Sequence, residues 1–410
     1  MMGLRETLAN LPPAVRVLLA CSTARALSFF ALLPFLPIYL HNHLKLDMQS
    51  VGLALGLCLL VATLTSVYGG YLADRYDKLR FLIFLDLVMA GLYLSLPLAS
   101  HPGLVLLLLV LVNTCSASIG VTGNAFLSDL LPADSRARVV SLRYALQNIG
   151  AAVGPFLGAW AAKLHSFGPF FLAAMVTSVV LVLLIAFRHR FDGVVATKAE
   201  REPPLDFGAT IDVLRNDRRL MLFTLGGILS MVVYGPLLTY LTQYLVTIES
   251  PAKAYQTVTY VSAVNAAVVI SLQYFVGARL RKENLRRWLT WGTGALALGL
   301  AGLSVSNALP VWMIAIAVFT LGEVIIVPAE YMMIDAIAPD KLRGSYFGVQ
   351  NLIFIGVALG PPLCGVLLRH TTPDVMFYVL IGITVLGWAF YYFGCRAAEE
   401  SQVMQPEKVV

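Results

Sequence analysis

Apolar positions in this chain come in long unbroken runs, not in the alternation of a half-buried strand or the one-sided stripe of a soluble helix. Twelve runs of about 20 residues start near Val15, Val51, Phe81, Leu104, Ser141, Pro169, Leu220, Tyr255, Trp288, Pro310, Ser345 and Asp374, each within a few residues. A run of that length crosses a hydrocarbon core of roughly 30 Å as a helix, and a helix satisfies its own backbone polar groups there. The pattern predicts an all-α polytopic membrane protein with 12 transmembrane helices. Nothing sizeable is left over to form a soluble domain.

Composition agrees. Of the 410 residues 59% are hydrophobic and 13% charged, against about 25% charged in a soluble domain, and the mean hydropathy is +0.79. The net charge of +6 could suggest a nucleic-acid partner, but its placement does not. With the N-terminus inside, 23 of the 29 Lys and Arg residues fall in cytoplasmic segments, and Lys45, Lys163, Lys253 and Arg369 on the opposite side. Arg25 and Arg143 lie within apolar runs. That asymmetry predicts cytoplasmic N- and C-termini. The first residues lack a short apolar stretch ending in a cleavage site, so the first helix is expected to be its own insertion signal.

No metal site or cofactor is expected. The five cysteines lie in or at the ends of apolar runs without a CxxC pair, as small packing residues would. His41, His43, His101, His165 and His370 fall in external loops and His189 in a cytoplasmic one, so no histidine stands at membrane depth.

One offset organises the chain. Leu79-Arg80 recurs at Leu285-Arg286, Asp129 at Asp335, and Gly150, Gly154-Pro155 at Gly356, Gly360-Pro361, each 206 residues later. This predicts two six-helix halves related by a parallel repeat, an architecture of secondary transporters. The boundaries read 1–187 for the first half, 188–219 for a polar cytoplasmic linker with a short amphipathic helix from Phe207 to Leu214, 220–395 for the second half, and 396–410 for a cytoplasmic tail.

Between runs two and three stands "GGYLADRYDKLR", Gly69 to Arg80. It resembles the loop signature of the major facilitator superfamily: Gly70 permits close helix approach, while Asp74, Arg75, Lys78 and Arg80 can form ion pairs that lock one conformation. Asp77 stands where that family usually has glycine, and Leu79 replaces a basic residue. Run five contains "NIGAAVGPFLGAW", Asn148 to Trp160, similar to the Gly-x-x-x-Gly-Pro signature of the antiporter branch. Small residues four apart let helices pack closely, and Pro155 permits a bend. "GVALGPPLCG", Gly356 to Gly365, repeats the device around Gly360 and Pro361. "LLPFLP", Leu32 to Pro37, resembles the first-helix motif of the twelve-helix drug:proton antiporters, and the whole chain looks similar to YdeE-like exporters of that branch.

The resemblance implies the superfamily fold and a bacterial inner-membrane exporter driven by the proton gradient, moving small peptides, amino-acid-like compounds or amphipathic drugs. It also implies that helices one, four, seven and ten line a cavity. The wider group often has a coupling arginine in the fourth helix. Run four has Asn113 and Asn124 and none.

Arg25, about ten residues into run one, would cost on the order of 2.5 to 3.5 kcal/mol there without compensation. The resemblance places it across from run ten, "TLGEVIIVPAEYMMID", which carries Glu323 and Glu330. Seven residues apart, these return to within about 20° of one helix face. An apolar wall disfavours the charged form of a carboxyl group, so either can be loaded and unloaded with a proton as access alternates. Arg25, Glu323 and Glu330 are therefore the expected proton-coupling or substrate residues. A permanent Arg25–Glu323 salt bridge, or for Glu330 an ion pair with Arg136, Arg138 or Arg343, is the structural alternative.

Asn113 and the run-seven residues Tyr234, Tyr240 and Tyr244 are the candidate substrate ligands, since Tyr offers an apolar ring with a polar tip. Asp129 and Asp335 are expected to form gating ion pairs with loop arginines such as Arg138 and Arg343. An enzyme or ATP-driven pump is disfavoured: there is no GxxxxGK[ST] loop and no Ser/His/Asp set at depth. The remaining alternative is an importer or uniporter of a small organic solute. The expected partners are substrate, protons and the lipid bilayer, with the chain a monomer.

Overall fold

The structure, a computed structural model, describes residues 11–33, 35–45, 48–191 and 206–403. The helices are α1 (Pro13–Leu32), α2 (Phe35–Leu44), α3 (Met48–Arg75), α4 (Lys78–Ser95), α5 (Pro102–Leu130), α6 (Ala133–Leu164) and α7 (Gly168–Ala186). They continue with α8 (Phe207–Asn216), α9 (Arg218–Tyr234), α10 (Leu237–Ile248), α11 (Pro251–Gly277) and α12 (Leu285–Val305). The last are α13 (Leu309–Ile337), α14 (Arg343–Gln350), α15 (Phe354–His370) and α16 (Val375–Val403). No strand occurs among the described residues.

Their starts follow local chemistry. Pro13, Pro102 and Pro251 open α1, α5 and α11, where a missing N–H costs nothing. Asp77 caps α4 by accepting from the Arg80 amide at 2.8 Å, and Asp217 caps α9 by accepting from Arg219 and Leu220. Asp77, at the place of the family's usual glycine, has φ −60°. The turn there needs no left-handed residue, and the aspartate is a helix cap.

Among the described residues, ten helices are long and apolar enough to cross a membrane, and an eleventh span forms if α9 and α10, bent by 41°, are taken together. The break falls at Gly235-Pro236, where proline cannot continue the ladder. The remaining expected run is α6. It begins at Ala133, eight residues before the apolar run at Ser141, because a polar first turn with Asp134 follows Pro132. Hydropathy sees the apolar stretch and not a polar extension of the same helix. The run near Ser345 is interrupted by a 3-10 turn at Asn351–Ile353. Pro34 of the "LLPFLP" stretch, residues 192–205 of the linker and residues 404–410 of the tail lie outside the described residues. The linker helix is α8, two residues longer than expected; Phe207 sits edge-on against Tyr68 and Tyr71.

The chain forms two compact units. One comprises residues 1–136, 143–207 and 340–348, the other 137–142, 208–339 and 349–410. In the first, α1 packs on α7, α3 on α5, and α4 on α5 and α7. In the second, α9 packs on α16, α11 on α13, and α12 on α13 and α16. These are the same pairings one repeat later. The core of the second unit is built around Trp312, Phe319, Tyr240, Tyr244 and Phe377. Large apolar side chains such as Phe156 and Ile314, 77% and 67% exposed, stand on the outside, where a soluble protein would place polar residues.

Glycines set the closest approaches. In the first unit, a methyl on Gly154 would come within 2.8 to 2.9 Å of the backbone of Leu27 and Ala31 on α1, and Gly150 is as tight against Leu27 and Thr23. In the second, Gly356 and Gly360 meet the backbone of α9 in the same way. Pro155 and Pro361 each lie inside their helix.

Candidate functional site

Glu323 and Glu330 stand on α13 and are 8% and 6% exposed. Pro328 lies between them in the helix, and a proline leaves the carbonyl four residues back without its donor. That carbonyl is Val324, and buried Gln273 on α11 donates to it at 3.4 Å. The two carboxyl groups face different neighbours. Asn265 on α11 donates to Glu323 Oε2 at 3.1 Å and to Thr320 Oγ1 at 3.0 Å. Glu330 accepts from the hydroxyl of Tyr391 on α16 and, at 3.4 Å, from that of Tyr234 on α9. Ser230 Oγ lies 3.1 Å from the Tyr391 hydroxyl, and Gly227 borders the carboxyl: a methyl there would make ordinary contact with Oε1 at 3.6 Å and crowd Ile353 at 2.6 Å. Spacing on one face therefore did not give a shared environment. Seven residues are about 10 Å of helix rise, enough for the neighbouring helix to change.

The ion pair allowed for between Glu330 and Arg136, Arg138 or Arg343 is not what forms. Arg136 donates to the Leu131 carbonyl, Arg343 pairs with Asp129 and Asp340, and Arg138 is exposed.

Arg25 also has a different partner from the one considered. Asp86 on α4, fully buried, receives Nε at 3.0 Å and the second guanidinium nitrogen at 2.5 Å, a two-pronged bond within the first unit. The same unit holds a second polar cluster that the sequence reading passed over. Arg143 Nε donates to Ser22 Oγ at 2.9 Å, its Nη1 donates to Asn124 Oδ1, and Gln147 donates to the same Ser22 oxygen at 3.0 Å. The signal for both was present as charges within apolar runs, Asp86 and Arg143. Tyr391 carried a weaker one, a tyrosine at depth in the last run.

Of the candidate substrate ligands, Tyr240 and Tyr244 belong to the interior of the second unit, at 0% and 1% exposure. The Tyr240 hydroxyl donates to the Val233 carbonyl at 2.9 Å; that of Tyr244 donates to Asp374 at 2.8 Å, with its ring between Trp312 and Phe377. They are core residues with satisfied hydroxyls and not cavity walls. Tyr234, also buried, donates to Glu330. Asn113 is half-buried and donates to the Leu109 carbonyl of its own helix.

Of the residues expected to gate, Gly70, Asp74, Asp129 and Arg343 meet around residues 340–348. Asp74, at the end of α3, accepts from the backbone N–H of Gly344 and of Ser345, both at 2.6 Å, and from the Ser345 hydroxyl at 2.8 Å. The orphan N–H groups at the second and third residues of α14 are thereby capped by a carboxylate from another helix, where the helix dipole also favours a negative charge. Gly70 and Gly344 meet backbone to backbone, and the Ser66 hydroxyl reaches the Gly348 carbonyl. Asp129 pairs with Lys78 at 3.1 Å and Arg343 at 3.6 Å. Arg75 donates to the Tyr71 hydroxyl, and Arg80 is exposed. In the second unit, residues 137–142 lie against Gly277, where a methyl would overlap Ser141. Positions 206 residues after Asp74 and Lys78 are Leu280 and Asn284, so this counterpart lacks the ionic chemistry, and buried Ser141 Oγ has no hydrogen-bond partner. Asp335 is buried at the end of α13.

Comparison with known proteins agrees with the fold. The Major Facilitator Superfamily pattern matches residues 18–354. The chain is 32% identical over 391 residues to the MFS-type transporter YdeE of Escherichia coli (strain K12), covering 95% of this chain and 97% of that one. It is 25% identical to a Na(+), Li(+), K(+)/H(+) antiporter of Planococcus maritimus, covering 82% and 84%, and 24% identical to the multidrug resistance protein MdtH of Yersinia enterocolitica, covering 92% and 94%. Among solved structures, the human organic anion transporter MFSD10 superposes with a TM-score of 0.72 at 15% identity, covering 92% of this chain and 98% of that one. The chain is a membrane transporter of the major facilitator superfamily, not an enzyme, and similar to its drug:proton antiporter branch.

Proposed function

We propose that this transporter is a proton-coupled antiporter that exports small peptides, amino-acid-like compounds or amphipathic drugs by alternating access, with both termini in the cytoplasm of a bacterial cell. The observation that carries the reading is Glu330: a buried carboxyl group in an apolar helix, held by two tyrosine hydroxyls. Buried ionisable residues within membrane segments mark proton and ion pathways. Neutral donors can hold such a group in either protonation state, as a fixed cation would not. Glu323, held by Asn265, is the second proton or substrate-amine site on the same helix. The Asp74 cap and the Asp129–Lys78–Arg343 cluster are the contacts assigned to gating, and the antiporter and multidrug relatives favour export.

The test uses inverted vesicles. Glu330→Gln should abolish substrate-induced proton flux and leave counterflow exchange, and Glu323→Gln on its own should lower that flux. Full proton flux in both variants would sink the coupling assignment. A screen of dipeptides against lipophilic cations in proteoliposomes decides the substrate class.

A further inference from the structure

A cavity of about 360 Å³ lies between the start of α1 and the end of α7, and none of the candidate site residues described above lines it. Arg16, Val17 and Ala20 line it from α1, and Leu183, Phe187 and Arg190 from α7 and the turn that follows. Among the described residues no carboxylate lines it, and both arginines are exposed and without an ion pair. Two guanidinium groups beside one cavity repel each other, and an anion between them converts that repulsion into two charge-assisted contacts.

The position of Arg190 is built, not left to chance. It follows the last turn of α7 in a 3-10 turn closed by the Arg190 and Phe191 amides on the Phe187 and Arg188 carbonyls. Phe191, fully buried, stacks on Phe126 at 5.4 Å and pins the chain just past the arginine.

Depth decides the kind of anion. The apolar span of α7 ends at Ala186, so Leu183 is inside the hydrocarbon and Arg190 just beyond it. On α1, Arg16 is in the first turn and Ala20 one turn deeper, about 6 Å along the axis. The cavity thus runs from the polar interface, at its arginine end, into the apolar layer. A soluble phosphate would satisfy the arginines and leave the apolar end uncovered. A phospholipid fills both, as basic pockets between membrane helices do.

We propose that this cavity is a binding site for an anionic phospholipid of the arginine-rich leaflet, its headgroup phosphate between Arg16 and Arg190 and an acyl chain along Val17, Ala20 and Leu183. The test is native mass spectrometry of the delipidated full chain in detergent, titrated with phosphatidylglycerol or phosphatidylcholine. The wild type should prefer phosphatidylglycerol by about tenfold or more, and Arg16→Ala with Arg190→Ala should remove that preference while phosphatidylcholine binding stays. Arg188→Ala, on the same turn but outside the cavity, should keep it. Leu183→Trp, which fills the groove and leaves both charges, should also weaken phosphatidylglycerol binding. An unchanged preference in the double alanine variant overturns the site. Displacement of phosphatidylglycerol by millimolar glycerol phosphate overturns the lipid as occupant in favour of a free anion.

Discussion

The carboxylate of Asp74 holds Ser345 twice, by its backbone N–H at 2.6 Å and its hydroxyl at 2.8 Å, across 271 residues of chain. Hydrogen bonds to a charged group are worth about 1.5 to 3 kcal/mol each, so Asp74→Asn should weaken docking of residues 340–348 by tenfold or more. A Ser66→Cys reporter in a cysteine-free background, buried beneath Gly348, reads this: maleimide labelling should rise by that factor. Unchanged labelling would show that packing alone holds the segment.

Gly70 tests the steric half of the same contact. Its α-carbon faces the Gly344 carbonyl so closely that no Cβ fits. Gly70→Ala should raise labelling of the Ser66→Cys reporter and depress transport at normal expression. Gly56→Ala, on the same helix with nothing within 4 Å, should do neither.

Arg25 and Asp86 make a double-mutant cycle. Arg25→Leu strands a fully buried carboxylate, at a cost of about 3 to 5 kcal/mol, visible as a lower thermal unfolding temperature in detergent. Arg25→Leu combined with Asp86→Leu should recover most of it. If the paired variant is stable yet loses proton flux, the arginine acts in coupling; if it transports normally, the pair is structural.

The glycine seam of α6 predicts a position-dependent cost. Gly154→Ala, pressed against the backbone of α1, should destabilise by about 1 to 3 kcal/mol through overpacking. Gly120→Ala, with open space around it, should fall within the scatter of the wild type in the same thermal assay.

Helix positions were legible because lipid demands long apolar runs, and most starts lie within a few residues of the observed ones. The exception, α6, shows the limit: its first turns are polar and helical, and hydropathy marks only where oil begins. The glycines at offset 206 pointed to real close approaches, since only a missing Cβ permits them. Partners of charged residues were less legible. Arg25 pairs with Asp86, 61 residues away, and Glu330 pairs with Tyr391, because a partner depends on which helices adjoin at a given depth, and periodicity describes one helix at a time. Tyr240 and Tyr244 misled for the same reason: an amphipathic ring suits a cavity wall and a satisfied core equally well.

The pairing of Arg25 with Asp86 inside a single unit bears on electrical behaviour. An elementary charge moved through the whole membrane field exchanges about 2.3 kcal/mol per 100 mV. A cation and an anion that travel on the same body sum to zero, so translating that body through the field exchanges no net energy with them. Translation of that unit therefore gives voltage no handle through this arginine, and whatever current the carrier passes comes from other charges, that of its substrate among them.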